Sequence, residues 1–270
     1  MNKSFPIGIF DSGVGGLSVL KKIHSKLPNE SLVYVADSKN SPYGPKNNSF
    51  IFDRSIIIID FLVQNHKIKL LVIACNTATA SSIGKLREIY NFPIIGMEPA
   101  IKPANEASQN KKVGILATEG TINSSKFSAL LDSYSGKTKF YTQPCIGLVE
   151  FIERGEIDSN EVILLLRKNL IPLLENNIDV VVLGCTHYIF IKKIVESFFN
   201  NKITIIDTGN AVAFQVQRKL REFNSESNNL NSKHIIYSNS KNSKMNLIIN
   251  SLLDDSGFRF DYHSNWDENL

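Results

Sequence analysis

The sequence predicts an α/β protein of two pseudo-symmetric domains, each with a mostly parallel sheet flanked by helices, and an active site in the cleft between them. Three observations predict this. Short apolar runs rich in β-branched residues alternate with longer helical stretches. Segments of the first half of the chain are echoed in the second half. In both halves a cysteine directly follows a buried-strand pattern, at Cys75 and at Cys185.

The alternation gives strand and helix candidates along most of the chain. Strands are expected at 7–10, 32–36, 70–74, 94–96, 113–117, 139–142, 180–184, 203–206 and 234–238. Helices are expected at 17–27, 50–66, 81–90, 160–176 and 189–199. The stretch 224–244 is rich in Asn, Ser and Lys, so we expect loops around one late strand there and no functional residue.

The internal repeat consists of three matched segments in the same order. Gly8 precedes Cys75 by 67 positions and Gly114 precedes Cys185 by 71, and each cysteine lies 20 positions before an isoleucine of the third segment. The paired segments are 6–13 with 112–120, 69–79 with 179–189, and 92–100 with 202–210. The repeat predicts a first domain of 1–98 with approximately 208–270 crossing back to it, and a second domain of 99–207.

Composition is that of an ordinary soluble globular protein. The 270 residues are 43% hydrophobic and 21% charged, with a net charge of +4 and no basic patch that would indicate nucleic acid. No apolar run approaches the ~18 residues of a membrane span, and the N-terminus does not resemble a signal peptide. Three cysteines are too few for a disulfide framework or a zinc site. We therefore expect a cytoplasmic protein with reduced thiols and no nucleic-acid or membrane partner.

The two matched cysteines are the strongest chemical signal. Ligands of parallel α/β sheets bind at the carboxyl ends of the strands, where Cys75 and Cys185 are expected, each before a helix. A helix N-terminus favours the thiolate. Asn76, Thr77 and Thr186 would supply donors for a small anion. A single such cysteine is more often core filling, but two at matched positions suit removal of a proton from one face of a carbon and its return to the other.

The segment IFDSGVGGLSVL at 9–20 admits two interpretations. Its glycines suggest a nucleotide-binding loop, with Asp37 as the ribose acid. Against this, Ser18 stands where the third glycine belongs, and Asp11 puts a negative charge where a pyrophosphate would bind. In the second interpretation Asp11 orients or deprotonates a thiol, with Ser12 as a ligand donor. A simple helix N-cap role of the pair is compatible with either interpretation.

Five segments together resemble the cofactor-independent aspartate/glutamate racemase superfamily, and within it the glutamate racemases. They are FDSGVGGLSVL (10–20), SPYGPK (41–46), ACNTATA (74–80), CIGLVEFIERG (145–155) and GCTHY (184–188). The resemblance implies catalytic roles for Cys75, Cys185, Asp11, His187 and Glu150. It implies substrate contacts for Asp11, Ser12, Tyr43, Gly44, Asn76, Thr77, Thr118, Thr121, Thr186 and His187, and no metal site. Glu153 is expected to be a helix-surface acid and Cys145 to be structural, and Ile189-Phe190 depart from the usual Pro-Leu.

The activity implied by the resemblance is interconversion of L- and D-glutamate by two cysteines, without pyridoxal phosphate, metal or other cofactor. D-Glutamate would supply peptidoglycan synthesis, and thus cell-wall biogenesis and cell shape, in a bacterial cytoplasm. The expected partner is the substrate glutamate, with a homodimer left open. Two alternatives also remain open: a racemase of aspartate or another small acid, and a non-catalytic thiol-redox or ligand-binding protein.

Overall fold

The computed structural model describes residues 2–134, 136–240, 248–249, 253, 259–264 and 266–268. The chain divides into two compact units, Met1–Met97 with Gly209–Leu270, and Glu98–Thr208. The division predicted from the repeat, 1–98 with approximately 208–270 and 99–207, stays a proposal for the folding domains.

The first unit begins with a regular alternation of strands and helices. Its elements are β1 (Ile7–Asp11), α1 (Leu17–Lys26), β2 (Leu32–Ala36), α2 (Asn48–His66), β3 (Leu70–Ile73), α3 (Asn76–Ile89) and β4 (Ile94–Gly96). The second unit continues with α4 (Ile101–Ala107), β5 (Lys112–Ala117), α5 (Glu119–Ile122), α6 (Ser125–Asp132), β6 (Lys139–Pro144), α7 (Leu148–Glu153), α8 (Asn160–Glu175), β7 (Val180–Gly184), a 3₁₀ helix (Thr186–Ile191), α9 (Lys192–Phe198) and β8 (Thr204–Ile206). The chain then returns to the first unit with α10 (Gly209–Glu222), β9 (His234–Ser238) and β10 (Asp261–Ser264).

Both sheets are parallel and repeat one strand order. The first runs β10-β9-β2-β1-β3-β4 and the second β6-β5-β7-β8, so β2-β1-β3-β4 matches β6-β5-β7-β8. The register matches too: Gly8 lies opposite Leu71, and Gly114 opposite Val181. Each of these partners precedes its cysteine by four residues. The predicted α/β class with mostly parallel sheets is confirmed.

The two matched glycines have the same packing reason. A Cβ on Gly8 would lie 2.9 Å from a methyl of Ile68, and a Cβ on Gly114 would lie 2.9 Å from a methyl of Leu173. Real Cβ atoms do not approach neighbours so closely in a core packed at crystal density. The central strand of each sheet therefore needs a glycine where an apolar side chain packs across it.

Several elements differ from the sequence prediction. Helix α3 begins at Asn76 rather than at 81, because Cys75 caps it. A 3₁₀ helix occupies Thr186–Ile191, where the predicted helix had begun at 189. Strand β10 and helix α10 had not been predicted, and α10 packs against α1. β10 is an edge strand of mixed polarity, and such strands lack the apolar pattern that identifies buried ones. None of the helices in the described residues is long and apolar enough to cross a membrane.

A pair of histidines joins the returning chain to α1. The rings of His24, on α1, and His234, the first residue of β9, meet edge to face with centroids 4.8 Å apart. Burial lowers the pKa of His234 to about 4, and the neighbouring His24 adds to this effect. Burial also lowers the pKa of His24. Both rings are therefore neutral in the folded protein at neutral pH.

We predict that this pair makes the fold acid-sensitive. In the unfolded chain the imidazoles bind protons near pH 6.5, whereas folded His234 binds one only near pH 4. The free energy of unfolding should therefore fall as the pH decreases from about 6.5 to about 4, by up to about 3 kcal/mol for His234. Urea titrations at pH 7, 5.5 and 4.5 measure this fall. His234→Phe should reduce it clearly. His263→Phe, at an exposed position of β10, should reduce it less, because His263 only adds to the lowering of the His66 pKa. Equal falls in all three proteins would contradict the assignment.

Candidate active site

Cys75 lies in the first turn beyond β3 and caps helix α3. Its side chain is 5% exposed, and its Sγ accepts a hydrogen bond from the Ala78 N–H at 3.5 Å. The Ser12 Oγ, at the end of the adjacent strand β1, lies 3.6 Å from the same sulfur. A sulfur at the N-cap lies at the positive end of the helix dipole and accepts a hydrogen bond from a backbone N–H. Both interactions stabilise a thiolate.

Asp11 organises the loop between β1 and α1. Its carboxylate is fully buried and accepts the backbone N–H of Ser12 at 2.8 Å and of Gly16 at 2.5 Å. The carboxylate thus accepts the backbone N–H groups that a nucleotide-binding loop would donate to a phosphate. This disfavours the nucleotide interpretation. The simple N-cap interpretation is wrong, because Gly16 is the N-cap residue of α1. Asp11 holds the loop that presents Ser12 to Cys75.

Asn76 has a buried acceptor that its surroundings leave unsatisfied. Its Nδ2 donates to the Met97 carbonyl at 3.3 Å, while its Oδ1 has no hydrogen-bond partner among the described residues. A buried acceptor without a hydrogen bond costs about 1–3 kcal/mol of stability. Such an atom in a native site is therefore often hydrogen-bonded by a bound ligand. Thr77 is buried beside it. Thr79, by contrast, is structural, because its hydroxyl joins the Ile73 carbonyl to the Met97 N–H.

Tyr43 has its hydroxyl committed to another side chain of the protein. The buried phenol donates to Asp37 Oδ2 at 2.5 Å, and burial together with the Asp37 charge raises its pKa well above the ordinary value. The ring packs in the same apolar cluster as Cys75. Any substrate contact of this turn therefore falls to the backbone of Tyr43 and the half-buried Gly44. Sequence reasoning had considered Asp37 only as a ribose acid, although it directly follows a buried strand.

Cys185 directly follows β7 in the second unit and has different neighbours. Its Sγ lies 3.8 Å from Nδ1 of His187, and the residue is 8% exposed. The expected α-helix N-terminus is absent at this described position, because the polypeptide enters the 3₁₀ helix instead and Cys185 accepts no capping hydrogen bond. The imidazole, rather than an α-helix dipole, is the charge partner of this thiol.

His187 connects Cys185 to a carboxylate. Its Nε2 lies 2.5 Å from Oε1 of Glu153, and its ring is buried. Burial alone would lower its pKa, but the hydrogen bonds and charges of Cys185 and Glu153 outweigh burial and raise the pKa well above the ordinary value. The prediction that Glu153 is only a surface acid is wrong, since its side chain is 12% exposed and pairs with His187. Glu150, three residues earlier on α7, does not occupy that place.

Three threonines line the same end of the second sheet. Ala117 pairs with Gly184, so Thr118 follows β5 where Cys185 follows β7. The Thr118 hydroxyl donates to the Thr121 hydroxyl at 2.9 Å and accepts the Thr121 N–H at the start of α5. Thr186 places its hydroxyl 3.4 Å from Nδ1 of His187. Thr118, Thr121 and Thr186 are all buried.

Cys145 lies closer to this chemistry than the sequence indicated. It directly follows β6 and donates its N–H to the Ala117 carbonyl, so it does stand at a strand end. Burial raises the pKa of its thiol to about 12, and the nearby Cys185 adds to this. Cys145 is thus a neutral thiol. None of the three cysteines is in a disulfide, and the described residues contain no cluster of His, Cys, Asp and Glu that could hold a metal ion.

Comparison with known proteins assigns the family. The model of the Asp/Glu/hydantoin racemase family matches residues 7–216. The chain belongs to this family. It is 50% identical over 216 residues to a glutamate racemase of Pseudomonas syringae, and the match covers 80% of this chain and 78% of that one. The resemblance inferred from the five segments is confirmed, and the racemase is an isomerase.

Solved racemase structures share the fold of the whole chain. A glutamate racemase of Bacillus anthracis superimposes with a TM-score of 0.87 at 30% identity, covering 97% of this chain and 98% of that one. An Escherichia coli glutamate racemase, in complex with L-glutamate and the activator UDP-MurNAc-Ala, superimposes with a TM-score of 0.83 at 30% identity, with the same coverage. The similarity therefore extends over both units of this racemase.

We predict that Glu153, rather than Glu150, controls the protonation of His187. Because its pKa is raised, His187 stays protonated to a higher pH than an ordinary histidine, and it loses its charge as the pH rises through that pKa. In Glu153→Gln the pKa of His187 falls, so the alkaline limb of the kcat profile should move to lower pH. A displacement of about one pH unit corresponds to roughly tenfold less imidazolium at any pH above the limb. Rate profiles between pH 6 and 10 measure the limb.

The matched comparison for this prediction is Glu150→Gln, which removes a carboxylate from the same helix. Its profile should keep the wild-type alkaline limb, because Glu153 still holds the imidazole. A shift in Glu150→Gln alone would contradict the assignment.

Proposed function

We propose that this racemase interconverts L- and D-glutamate by proton transfer at Cα, with Cys75 and Cys185 as the two acid/base groups and without pyridoxal phosphate or metal. The observation that carries the proposal is the matched pair of buried thiols, one at the same register beyond each parallel sheet. The similar proteins are glutamate racemases, and one of them is described in complex with L-glutamate. Both support glutamate as the substrate.

The reaction needs one thiolate and one thiol at the moment of proton removal. The thiolate takes the α-proton, and the electron pair of the C–H bond moves into the carboxylate as an enediolate-like anion. The second thiol then donates its proton to the opposite face and becomes the thiolate. Thus Cys75 and Cys185 exchange roles between the two directions, and each must reach Cα from its own side.

The groups beside each thiol suit the charges of an amino acid. The unsatisfied Oδ1 of Asn76 would accept from the substrate ammonium. Donors from Ser12, Thr77, Thr118, Thr121 and Thr186, and the backbone of Tyr43 and Gly44, would hold the carboxylates. Fixed donors around a developing anion are worth more than water because they need no reorganisation. Asp11 acts through the loop that carries Ser12.

His187 would assist Cys185 as an ion-pair partner. An imidazolium 3.8 Å from the sulfur favours the thiolate, and Glu153 holds that imidazolium in place and charged. Cys75 instead has neutral partners: its Sγ donates to the Ser12 hydroxyl and accepts the Ala78 N–H at the start of α3. We retain Glu150 as a residue that borders this machinery from the first turn of α7.

The cellular role follows from the product. D-Glutamate would enter peptidoglycan synthesis in the cytoplasm, and so serve cell-wall formation and cell shape. A homodimer is compatible with this role, but neither proton transfer nor the contacts above require one. The expected absence of nucleic-acid partners rests on the small, evenly spread net charge of +4.

Two rival functions make different experimental predictions. A racemase of aspartate or another small acid would have a higher kcat/KM for that acid than for glutamate, and a difference of one methylene is worth only about 10–200-fold. A thiol-redox protein would give a reversible dithiol titration and no turnover. The identity to curated glutamate racemases favours glutamate over both.

We predict that each cysteine serves one face of Cα. In D₂O, wild type should invert glutamate and exchange the α-proton of both enantiomers. Cys75→Ser and Cys185→Ser should each lose about 10²–10⁴-fold in racemisation, because a hydroxyl is a poor acid/base group at neutral pH. Proton NMR of each enantiomer follows the exchange. Cys145→Ser is the matched control and should retain wild-type exchange, since its thiol belongs to neither strand of the matched pair.

The outcomes separate the hypotheses. Unequal residual exchange of the two enantiomers in the serine variants would assign a face to each thiol. If the wild-type enzyme neither exchanges nor inverts glutamate but racemises aspartate, the proposed substrate is wrong and the proposed mechanism stands. No turnover of any amino acid together with a reversible disulfide would sink the racemase proposal.

A further inference from the structure

The residue directly after β9, Asn239, has a side chain that reaches Asp37, the residue directly after β2. β9 pairs in parallel with β2, so Ser238 lies opposite Ala36, and Asn239 follows where Asp37 follows. The buried Asn239 uses its whole amide: Nδ2 donates to Asp37 Oδ1 at 2.6 Å and to Asp267 Oδ2 at 2.9 Å, and Oδ1 accepts the Lys39 N–H at 2.9 Å. The region that the sequence left without function therefore contacts Asp37.

Arg54 links the same two carboxylates from helix α2. Its Nε and one terminal nitrogen donate to the two oxygens of Asp37 at 3.0 and 2.7 Å, and that terminal nitrogen also donates to Asp267 at 3.2 Å. Next to Asp267, the buried Trp266 donates its indole N–H to the Ala36 carbonyl, with its ring 5.7 Å from the Arg54 guanidinium. A bidentate Arg–carboxylate pair fixes direction as well as distance.

Asp37 passes this arrangement on to the turn beside Cys75. Its fully buried carboxylate accepts from Arg54 and Asn239 and also from the Tyr43 hydroxyl, at 2.5 Å. Tyr43 is held neutral and packs in the apolar cluster that contains Cys75. The position of the 43–44 turn therefore depends on where Asp37 points. Arg54 and the Asn40 amide hold Asp37 from the N-terminal part, and Asn239 holds it from the C-terminal part. Asp267 acts on it through Arg54 and Asn239.

We propose that Asn239 and Asp267 are positioning residues for the Tyr43–Gly44 turn, which binds the anionic end of the substrate. The inference rests on the proposed function. The side-chain hydrogen bonds described above tie both residues to the Asp37–Arg54 pair, so their effect is on substrate binding more than on proton transfer. Asp267 accepts a hydrogen bond from the Arg54 guanidinium, and Asn239 joins Asp37 to the backbone N–H of Lys39. Without Asn239 and Asp267, the hydrogen bond between Tyr43 and Asp37 remains, but both side chains lose the restraints that orient them.

Asp267→Ala tests the proposal, since Asp267 has hydrogen bonds to Arg54 and Asn239 and, among the described residues, none to the turn itself. We expect the KM for glutamate in both directions to rise roughly three- to tenfold, the effect of one charge-assisted hydrogen bond, while kcat changes less than about twofold. Asp267→Asn keeps an acceptor for Arg54 and should fall between wild type and Asp267→Ala. Asp261→Ala, at an exposed position of β10, is the matched control and should keep the wild-type KM.

The split between KM and kcat distinguishes positioning from mere stability. A lower kcat at unchanged KM, or both constants unchanged in folded Asp267→Ala, would overturn the inference. Should Asp267→Ala not fold, Asp267→Asn decides: a KM at least about twofold above that of Asp261→Ala is expected, and an equal KM refutes the inference. A wild-type enzyme inactive on glutamate would instead sink the proposed function, whereas wild-type activity with an unmoved KM sinks only this inference.

Discussion

The site depends on the parallel pairing of one central strand on both sides in each unit. β1 and β5 are hydrogen-bonded to two neighbours and are buried along almost their whole length. Polar chemistry can therefore begin only where these strands end, at one edge of the sheet. The shared register of Gly8 and Gly114 then places Cys75 and Cys185 at the equivalent level, each beyond the edge of its own sheet. Ser12 and Thr118 reach that level from the central strands.

The scaffold is repeated, but the chemistry beside the two thiols is not. Cys75 contacts the Ser12 hydroxyl and a helix amide, which are neutral groups. Cys185 receives an imidazole whose pKa is raised by Glu153, which is a charged partner. A buried charge is tolerated when it is paired, and the Glu153 carboxylate pairs with this imidazolium. The repeat thus fixes where the thiols are, while the residues that differ between its two copies, together with Glu153 outside it, fix what each thiol contacts.

The buried strands and the two cysteines could be predicted from the sequence because each belongs to a local pattern of residues that occurs twice in the chain. The choice of Glu150 over Glu153 shows where such reasoning ends. Both acids lie on the six-residue helix α7, and only the direction of that helix against the 3₁₀ helix decides which one reaches His187. The contact of Asn239 with Asp37 spans 202 positions and could not be read locally. The one signal for these two residues was that each directly follows a strand.

The chemical asymmetry of the two thiols has a limit set by the substrate. Enantiomers have equal free energies in water, so at equilibrium a racemase must leave equal amounts of each, whatever its own groups prefer. The kcat/KM values of the two directions are therefore equal, and the imidazolium beside Cys185 cannot favour one product. It can change the common kcat/KM of both directions, and it can change how kcat and KM are divided within each direction, but it leaves the product ratio at one. In the proposed mechanism the partners of Cys185 would then set the working pH range of the enzyme, while the partners of Cys75 and the Tyr43 turn would set how substrate is held.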